Sequence, residues 1–512
     1  METEEATPNP DTENQDIKQP TDQQPKPEKP SKTKKNKLLI VIAVLLVILI
    51  VLMVIPATRY KLKAMILGQA SVQILVQDKI SGSPINGAVV KYNGKDIKPS
   101  AAGVATVNVP ASASSVSVGV MAPNFHDASV DIKVSKSHQN QSSIDMLHSG
   151  NIYFLSKNSN NGADIIESNL DGSVKKVVLL GTSTDYNSLT NPIDVVDTYY
   201  EGPSLLAAKD WQHLAYLANR SPGVKESGKT HVGLYIFDTA KKQLTEIDKT
   251  NSFFEFIGWI DNQHFVYHVS AKNSQATAGA NTEAIKVYDV SSGKATTLLA
   301  NKVNQDFGAQ YLINGKIIMA LRCLEDTAAE CKKAGIPSEI VALSIDAKVT
   351  SLKDFGDWKV GQFTNNIYNG QLYYTVYGDG QNGGTAYLSY NGQKINNSDD
   401  KQANQQAYHA PLSSPSGSSA FWTESNKGSN ILYTSNKDGS SSSESLAAPF
   451  KQYGWYTDNY NLLSKDGNTL YITGQNSSKT PVQISSYTAA TKGYNIAMAG
   501  YPGPGFGYGD LQ

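Results

Sequence analysis

The feature that most restricts this chain is a phrase rewritten about every fifty residues along its distal part. The copy at residues 414–439 reads SPSGSSAFWTESNKGSNILYTSNKDG. A turn of small residues leads into Ala420-Phe421-Trp422, a polar stretch, Ile431-Leu432-Tyr433 and a second turn at Asp438-Gly439. Ser416 marks the first turn of this copy, and related turns fall at Gly150, Asp210, Asp261, Asn314, Asn369 and Asp466. The runs that follow are branched and aromatic, as in Leu214-Ala215-Tyr216 and Leu470-Tyr471-Ile472. Short alternating strands joined by Asp, Asn, Gly and Ser turns are hairpins. One four-stranded sheet of this kind has two apolar faces and cannot cover both by itself. Set around an axis, each sheet covers its neighbour, and closing the ring removes the bare ends. The pattern therefore predicts a mainly β chain with a distal β-propeller. Seven turns give seven blades, or six or eight if a terminal unit is partial. A linear array of β-sandwiches is the competing architecture.

The quoted copy and SKDGNTLYITG best match a pattern of a Ser-x-Asp-Gly-like turn, an apolar strand, a tyrosine-bearing strand and another Asp-Gly-like turn. In this they resemble TolB-type propeller repeats, over residues 148–498. KDWQHLAYLAN departs from the pattern by lacking the Gly, and LINGKIIMAL by lacking the Ser. The resemblance also raises a hydrolase, because such propellers occur fused to prolyl-oligopeptidase-like enzymes. That chemistry needs a Gly-x-Ser-x-Gly nucleophile elbow between strand and helix. GTSTD at Gly181 and GPSLL at Gly202 fail at the last position, and no helix-rich segment remains to hold such a site.

Upstream of the repeats, residues 70–147 alternate apolar and polar residues in short runs, with Val72, Ile74 and Val76 as the first. VATVNV, SSVSVGV and SVDIKV continue the alternation between Gly, Pro and Asn turns. Five or six such strands predict a small β-sandwich. Val76-Gln77-Asp78, Gly82-Ser83-Pro84-Ile85-Asn86-Gly87-Ala88-Val89-Val90, Gly103 and the closing APNFHDASVDIKV resemble the carboxypeptidase-regulatory-like family. Where that family has a Thr-Asp-x-x-Gly turn, this chain reads PSAAG. The resemblance implies a prealbumin- or immunoglobulin-like sandwich acting as a non-catalytic spacer or adhesion module.

The N-terminal part has a different chemistry. Residues 1–36 are rich in Pro, Glu, Asp, Gln, Thr and Lys, too polar to bury a core, and predict a disordered tail. QPKPEKP within it suits either a proline-binding partner or a solvated tail. Leu38–Ala57 then runs without a charge. As one helix it would span about 30 Å, the thickness of bilayer hydrocarbon. The expectation is a transmembrane helix at 37–57 that contacts lipid through residues 38–57, with a juxtamembrane linker at 58–69. Lys26, Lys29, Lys32, Lys34, Lys35 and Lys37 precede the run and Arg59, Lys61 and Lys63 follow it, which favours a cytoplasmic N-terminus and an extracytoplasmic body. Residues 499–512 form a Gly-rich tail with interleaved Tyr and Phe.

Composition narrows the chemistry. The formal net charge is −1, and only Arg59, Arg220 and Arg322 supply guanidinium groups, so nucleic-acid binding is not expected. The eight His residues are dispersed. His264 and His268 share a strand face about 13 Å apart, too far for one metal ion, and read as ordinary strand residues. No Asp-Gly or Asn-Gly pair has the spacing of a calcium loop. No cofactor, metal ligand or catalytic residue is therefore assigned. Cys323 and Cys331, in LRCLEDTAAECKKAGIPSE, interrupt a repeat with a helix-favouring insertion. A continuous helix would hold them about 12 Å apart, but a folded-back insertion would let them form a disulfide. The expected function is recognition of a protein, peptide or glycan by a surface-anchored propeller. The alternatives are a cell-envelope glycan lyase or glycosidase with carboxylates at the propeller axis, and a purely structural envelope component.

Overall fold

A computed structural model describes residues 33–135, 140–157, 163–180, 205–219, 225–226, 229–230, 232–250, 252–271, 280–313, 315–325, 328–336, 338–354, 359–368, 371–377, 384–390, 395–398, 412–426, 429–436, 443–447, 450–465 and 469–486. The expected tail at 499–512 and residues 1–32 of the expected tail at 1–36 lie outside the described residues. The chain divides into two compact units. One comprises Met1–Ser71, Asn108–Ser114 and Val134–Asn140, and the other holds the remainder.

The expected membrane-spanning helix is not found. Among the described residues, no helix is long and apolar enough to cross a membrane. The charge-free run does not form one helix. Helix Thr33–Val54 takes Lys34, Lys35 and Lys37 into its first turns and stops before Ile55, which is extended at φ −79 and ψ 115. Pro56 then opens a second helix, Pro56–Leu67, with the fixed backbone angle that suits a first helical position. That helix brings in Arg59, Lys61 and Lys63 and occupies most of the expected linker at 58–69, closing on Gly68 at φ 62. Gly68 O accepts the Ala111 N–H at 2.9 Å, and Asn140 Nδ2 donates to Ser71 O.

Among its described residues, the segment expected as a sandwich forms two sheets from seven strands. One holds Val104–Pro110, Gln69–Asp78 and Asn140–Met146, in that order. The other runs Lys95–Ile97, Val89–Tyr92, Ser115–Met121, Ala128–Lys133. Alternate residues go inward: Val72, Ile74, Val76, Val107, Val118 and Val120 are buried while their neighbours are wetter, the period-two pattern of a one-sided sheet. Gly103 in the PSAAG turn has φ 76, and a Cβ there would lie 2.8 Å from Val76 O, so only glycine fits.

Among the described residues of 151–486, seven successive sheets of three or four strands form, each an antiparallel meander in chain order, besides a two-stranded hairpin of Lys225–Glu226 and Lys229–Thr230. Blade 1 (151–179) has three strands among the described residues. Blades 2 (205–248), 3 (252–300), 4 (305–354), 5 (359–398), 6 (412–447) and 7 (450–486) have four each. Asp210, Asp261 and Ser416 sit between the first and second strands of their blades, as the repeat pattern requires. Asn314, Asn369 and Asp466 lie outside the described residues. The repeat loses phase at its ends. Gly150 directly precedes the first strand of blade 1, Asn151–Lys157, which therefore matches a second strand elsewhere. In blade 7 the turn between the first and second strands is Asp458-Asn459, and Leu470-Tyr471-Ile472 belongs to the third strand.

Neighbouring sheets cover one another. Leu206, Ala215, Leu234 and Ile236 of blade 2 pack with Phe254, Trp259, Phe265 and Tyr267 of blade 3. Val266, Ile285 and Val287 of blade 3 pack with Ile317, Met319 and Val341 of blade 4. A third cluster joins the ends of the array: Ile152 and Phe154 of blade 1, Tyr216 and Phe237 of blade 2, and Leu462 and Ile472 of blade 7. The seventh sheet thus packs on the first two and the array closes as a β-propeller. Buried indoles tie the blades together. Trp211 Nε1 donates to Tyr456 O at 2.8 Å, from blade 2 to blade 7, and Trp259 Nε1 donates to Leu206 O at 3.1 Å, from blade 3 to blade 2.

A meander places its first–second and third–fourth turns at one end of the ring, here the turn end, and all other connections at the opposite, crossover end. The sandwich segment meets the turn end of blades 7 and 1. Ser477 Oγ donates to Ser81 O at 2.8 Å, and Lys79 pairs with Asp171 at 2.5 Å. Trp211→Phe keeps the ring but leaves Tyr456 O without its buried donor. The expected loss is about 1–3 kcal/mol in denaturant unfolding, whereas a loss within the range of a neutral surface change would mean that the seam does not depend on this bond.

Candidate functional site

Cys323 and Cys331 are joined by a disulfide with a Cα separation of 5.9 Å. Cys323 is the last residue of the second strand of blade 4, and only Cys331 lies in helix Ala328–Ala334, so the insertion doubles back. Both cysteines pack with Ile336 in a small buried cluster. Because the insertion joins the second and third strands, it belongs to the crossover end. Beside it Leu324 N–H donates to Asn304 O at 2.8 Å, in the connection from blade 3 to blade 4. Val303 and Leu324 are exposed on this surface.

The two histidines that are close in sequence separate in role. His264 stays at the turn end, with Nδ1 2.8 Å from Asp261 Oδ2. His268 lies mid-strand, one turn of the pleat short of the crossover end, and is 6% exposed. It lies directly opposite Glu255 of the first strand, and Nδ1 is 3.0 Å from Glu255 Oε2. Glu283 of the third strand pairs with Ser270, one side chain along the same face as His268. Its Oε2 is 3.8 Å from His268 Nε2, an ion-pair distance beyond hydrogen bonding. Glu283 also reaches blade 4, accepting the Phe307 N–H at 2.8 Å. Next to it, Arg322 binds Asp306 through Nε at 2.9 Å and through its terminal nitrogen at 2.6 Å. Burial pushes the Asp306 carboxyl up against the pull of Arg322, and Glu283 adds repulsion.

Burial works against charge on His268, but the hydrogen bond to Glu255 and the attraction of Glu283 outweigh it and push its pKa up to about 9. The imidazole is therefore a fixed cation between two carboxylates. This arrangement ties three strands of blade 3 to the edge of blade 4 and leaves no free base. Among the described residues, no group of His, Cys, Asp and Glu could hold a metal ion. A similar tie joins blades 1 and 2, where Glu167 pairs with Lys242 of blade 2 and with Lys176 at 3.0 Å. The His268 cluster escaped the reading of the sequence because its members are far apart along the chain. Only strand register brings them together, and no local spacing announces it.

Two outcomes follow from this geometry. Since His268 binds its proton more tightly folded than unfolded, its stabilisation is full below its ordinary pKa of about 6.5 and is lost as pH rises through about 9. His268→Gln should flatten that part of the stability–pH curve, and an unchanged slope would remove the cluster from the account. Replacing Cys323 and Cys331 with Ser should cost about 2–3 kcal/mol by the chain-entropy model, measured by denaturation without reductant. Equal stability of variant and parent would show that the insertion is held without the bridge.

No family model matches the chain, and no curated protein matches it in sequence. Similarity is found among solved structures. TolB from Acinetobacter baumannii is 14% identical with a TM-score of 0.29, the match covering 69% of this chain and 78% of that one. The β-propeller domain of the Trilobed protease from Pyrococcus furiosus is 10% identical with a TM-score of 0.37, covering 74% and 95%. An oligogalacturonate lyase from Vibrio parahaemolyticus is 8% identical with a TM-score of 0.36, covering 67% and 86%. With scores this low, the propeller assignment rests on the order and packing of the seven sheets.

Proposed function

We propose that this chain is an extracytoplasmic binding or scaffold protein whose propeller offers its crossover end to a protein, peptide or glycan. The supporting observation is the difference between the two ends. At blades 7 and 1 the turn end is taken up by the sandwich segment, through Ser81, Lys79 and their partners Ser477 and Asp171. The crossover end carries the disulfide-tied insertion and the exposed Val303 and Leu324. A disulfide between the only two cysteines suits an oxidising compartment. The sandwich segment then serves as the spacer that its family resemblance implies. The glycan lyase or glycosidase alternative asks for two carboxylates with room for substrate or water between them. Glu255 and Glu283 are instead bridged by His268.

The full chain, presented to peptide and glycan arrays and to a glycan-cleavage screen, tests this reading. A ligand should be retained, and Val303→Glu or Leu324→Glu should weaken it at least about tenfold, the effect of about 1.4 kcal/mol. Met121→Glu, on an exposed side chain of the sandwich segment, should leave it unchanged. Turnover of a glycan without a stable complex, or binding indifferent to the two crossover-end changes, would overturn the proposal.

A further inference from the structure

We propose that His148 is an acid-released latch holding the sandwich segment to the seam where the propeller ring closes. His148 lies at the exit from the sandwich segment, bridged to Phe125, two residues before blade 1 begins. Its Nδ1 accepts the Gly150 N–H at 3.1 Å. That bond assigns the tautomer: Nδ1 is bare and Nε2 carries the hydrogen. A second proton would add at Nδ1 and set one N–H donor against another.

The surroundings leave little slack for that change. The ring is held edge-on by Phe125 at 5.5 Å, Tyr460 at 5.6 Å and Tyr456 at 6.0 Å. A Cβ on Gly150 would fall 1.8 Å from the Tyr456 hydroxyl, so this glycine is pressed against blade 7. Tyr456 in turn supplies the carbonyl that accepts from Trp211, and the two rings lie 5.1 Å apart. A displacement at Gly150 is therefore passed to the bond that joins blade 2 to blade 7.

The groups facing His148 decide whether it takes up a proton. Asp78, ending the strand Gln69–Asp78, favours the imidazolium, but its carboxylate already accepts from Ile80 N–H at 2.9 Å and Ser81 Oγ at 2.6 Å. Burial, and then the Asp78 charge, push the pKa of the Tyr460 hydroxyl of blade 7 up. His126, from the loop beside Phe125, opposes a second positive charge. Burial is the largest influence, and the His148 pKa falls below its ordinary value despite Asp78. The latch contribution is therefore complete above about pH 6.5 and is lost as pH falls through the lowered folded value. Nearby, Asp171 does not share this window. Burial raises its pKa, but hydrogen bonds from Lys79 and Ser173 hold it at about 2.

Hydrogen exchange on the full chain between pH 7.5 and pH 5, corrected for intrinsic rates, reads the latch directly. Protection should drop several-fold on acidification at residues 79–82, at Gly150 and along Phe450–Thr457, while blades 3 and 4 keep theirs. His148→Asn supplies an acceptor that does not titrate and should hold protection flat, whereas His126→Asn should keep the acid response. An acid response persisting in His148→Asn, or none in the parent chain, would overturn the proposal. Should His148→Asn fail to fold, the His148 ring can be titrated by NMR in the unaltered protein. A midpoint at or above 6.5, or a neutral ring protonated at Nδ1, would equally end it.

Discussion

The structure depends on one constraint: a meandering four-stranded sheet with two apolar faces is stable only between two others. For interior blades this is met by the next stretch of chain, as blade 3 between blades 2 and 4 illustrates. The first and last blades have no such neighbour in sequence and must find each other. The cluster holding Phe154, Tyr216, Phe237, Leu462 and Ile472 is that meeting, and it brings together residues over three hundred positions apart. Contacts of such separation are slow to form because a long loop must close before any of them contributes. The seam thus carries the largest loop-closure cost of the ring. The Trp211–Tyr456 bond and the sandwich segment are both found there.

Charged groups are distributed in keeping with this. Glu167 with Lys242, and Asp248 with Lys286 at 2.8 Å, each cross from one blade to the next, as Glu283 does through the Phe307 N–H. Pairs of this kind, with a buried carboxylate and a partly exposed lysine, add little net stability, because desolvation offsets most of the attraction. Breaking one is costly, however, since a lone charge is left inside. Their effect is to penalise a slipped packing of one blade on another, which apolar faces alone tolerate. Two histidines, His268 buried and His148 half-buried, act with opposite signs. His268 is pinned as a cation and weakens the fold when it loses its proton in base. His148 is held neutral and weakens it when it gains one in acid.

Much of this architecture was legible in the repeat. Turns at Asp210, Asp261 and Ser416 fall between first and second strands because Asp, Gly and Ser permit tight reversals wherever they occur. The end blades were misphased for the same reason: SKDGNTLYITG makes an equally good hairpin between second and third strands, and sequence alone does not say which reversal it is. The charge-free run at 38–57 read as one helix because hydropathy is counted along the chain, whereas Pro56 acts on the backbone and starts a new helix there. The candidate site was not legible at all. Glu255, His268 and Glu283 are ordinary strand residues until register places them on one face.

The two ends of the ring also differ in what they can vary. At the turn end, aspartates cap the reversals. Asp210 accepts the Gln212 N–H at 3.1 Å, Asp238 the Lys241 N–H at 2.8 Å, Asp261 the Gln263 N–H at 2.8 Å, and Asp289 the Ser291 N–H at 2.8 Å. A capped reversal of four or five residues has little freedom, since lengthening it removes the bond that shapes it. Connections at the crossover end must travel from one blade to the next or span the second and third strands; Asp248 caps one of them by accepting the Thr250 N–H at 2.9 Å, but the span they cover is not that of a single tight turn. Blade 4 uses that freedom to build a helix and then restrains it with a disulfide. An insertion costs chain entropy in the folded state, and a crosslink lowers that cost by restricting the unfolded chain. Variation in the ring is therefore easiest at the crossover end, opposite the contacts of the sandwich segment with blades 7 and 1.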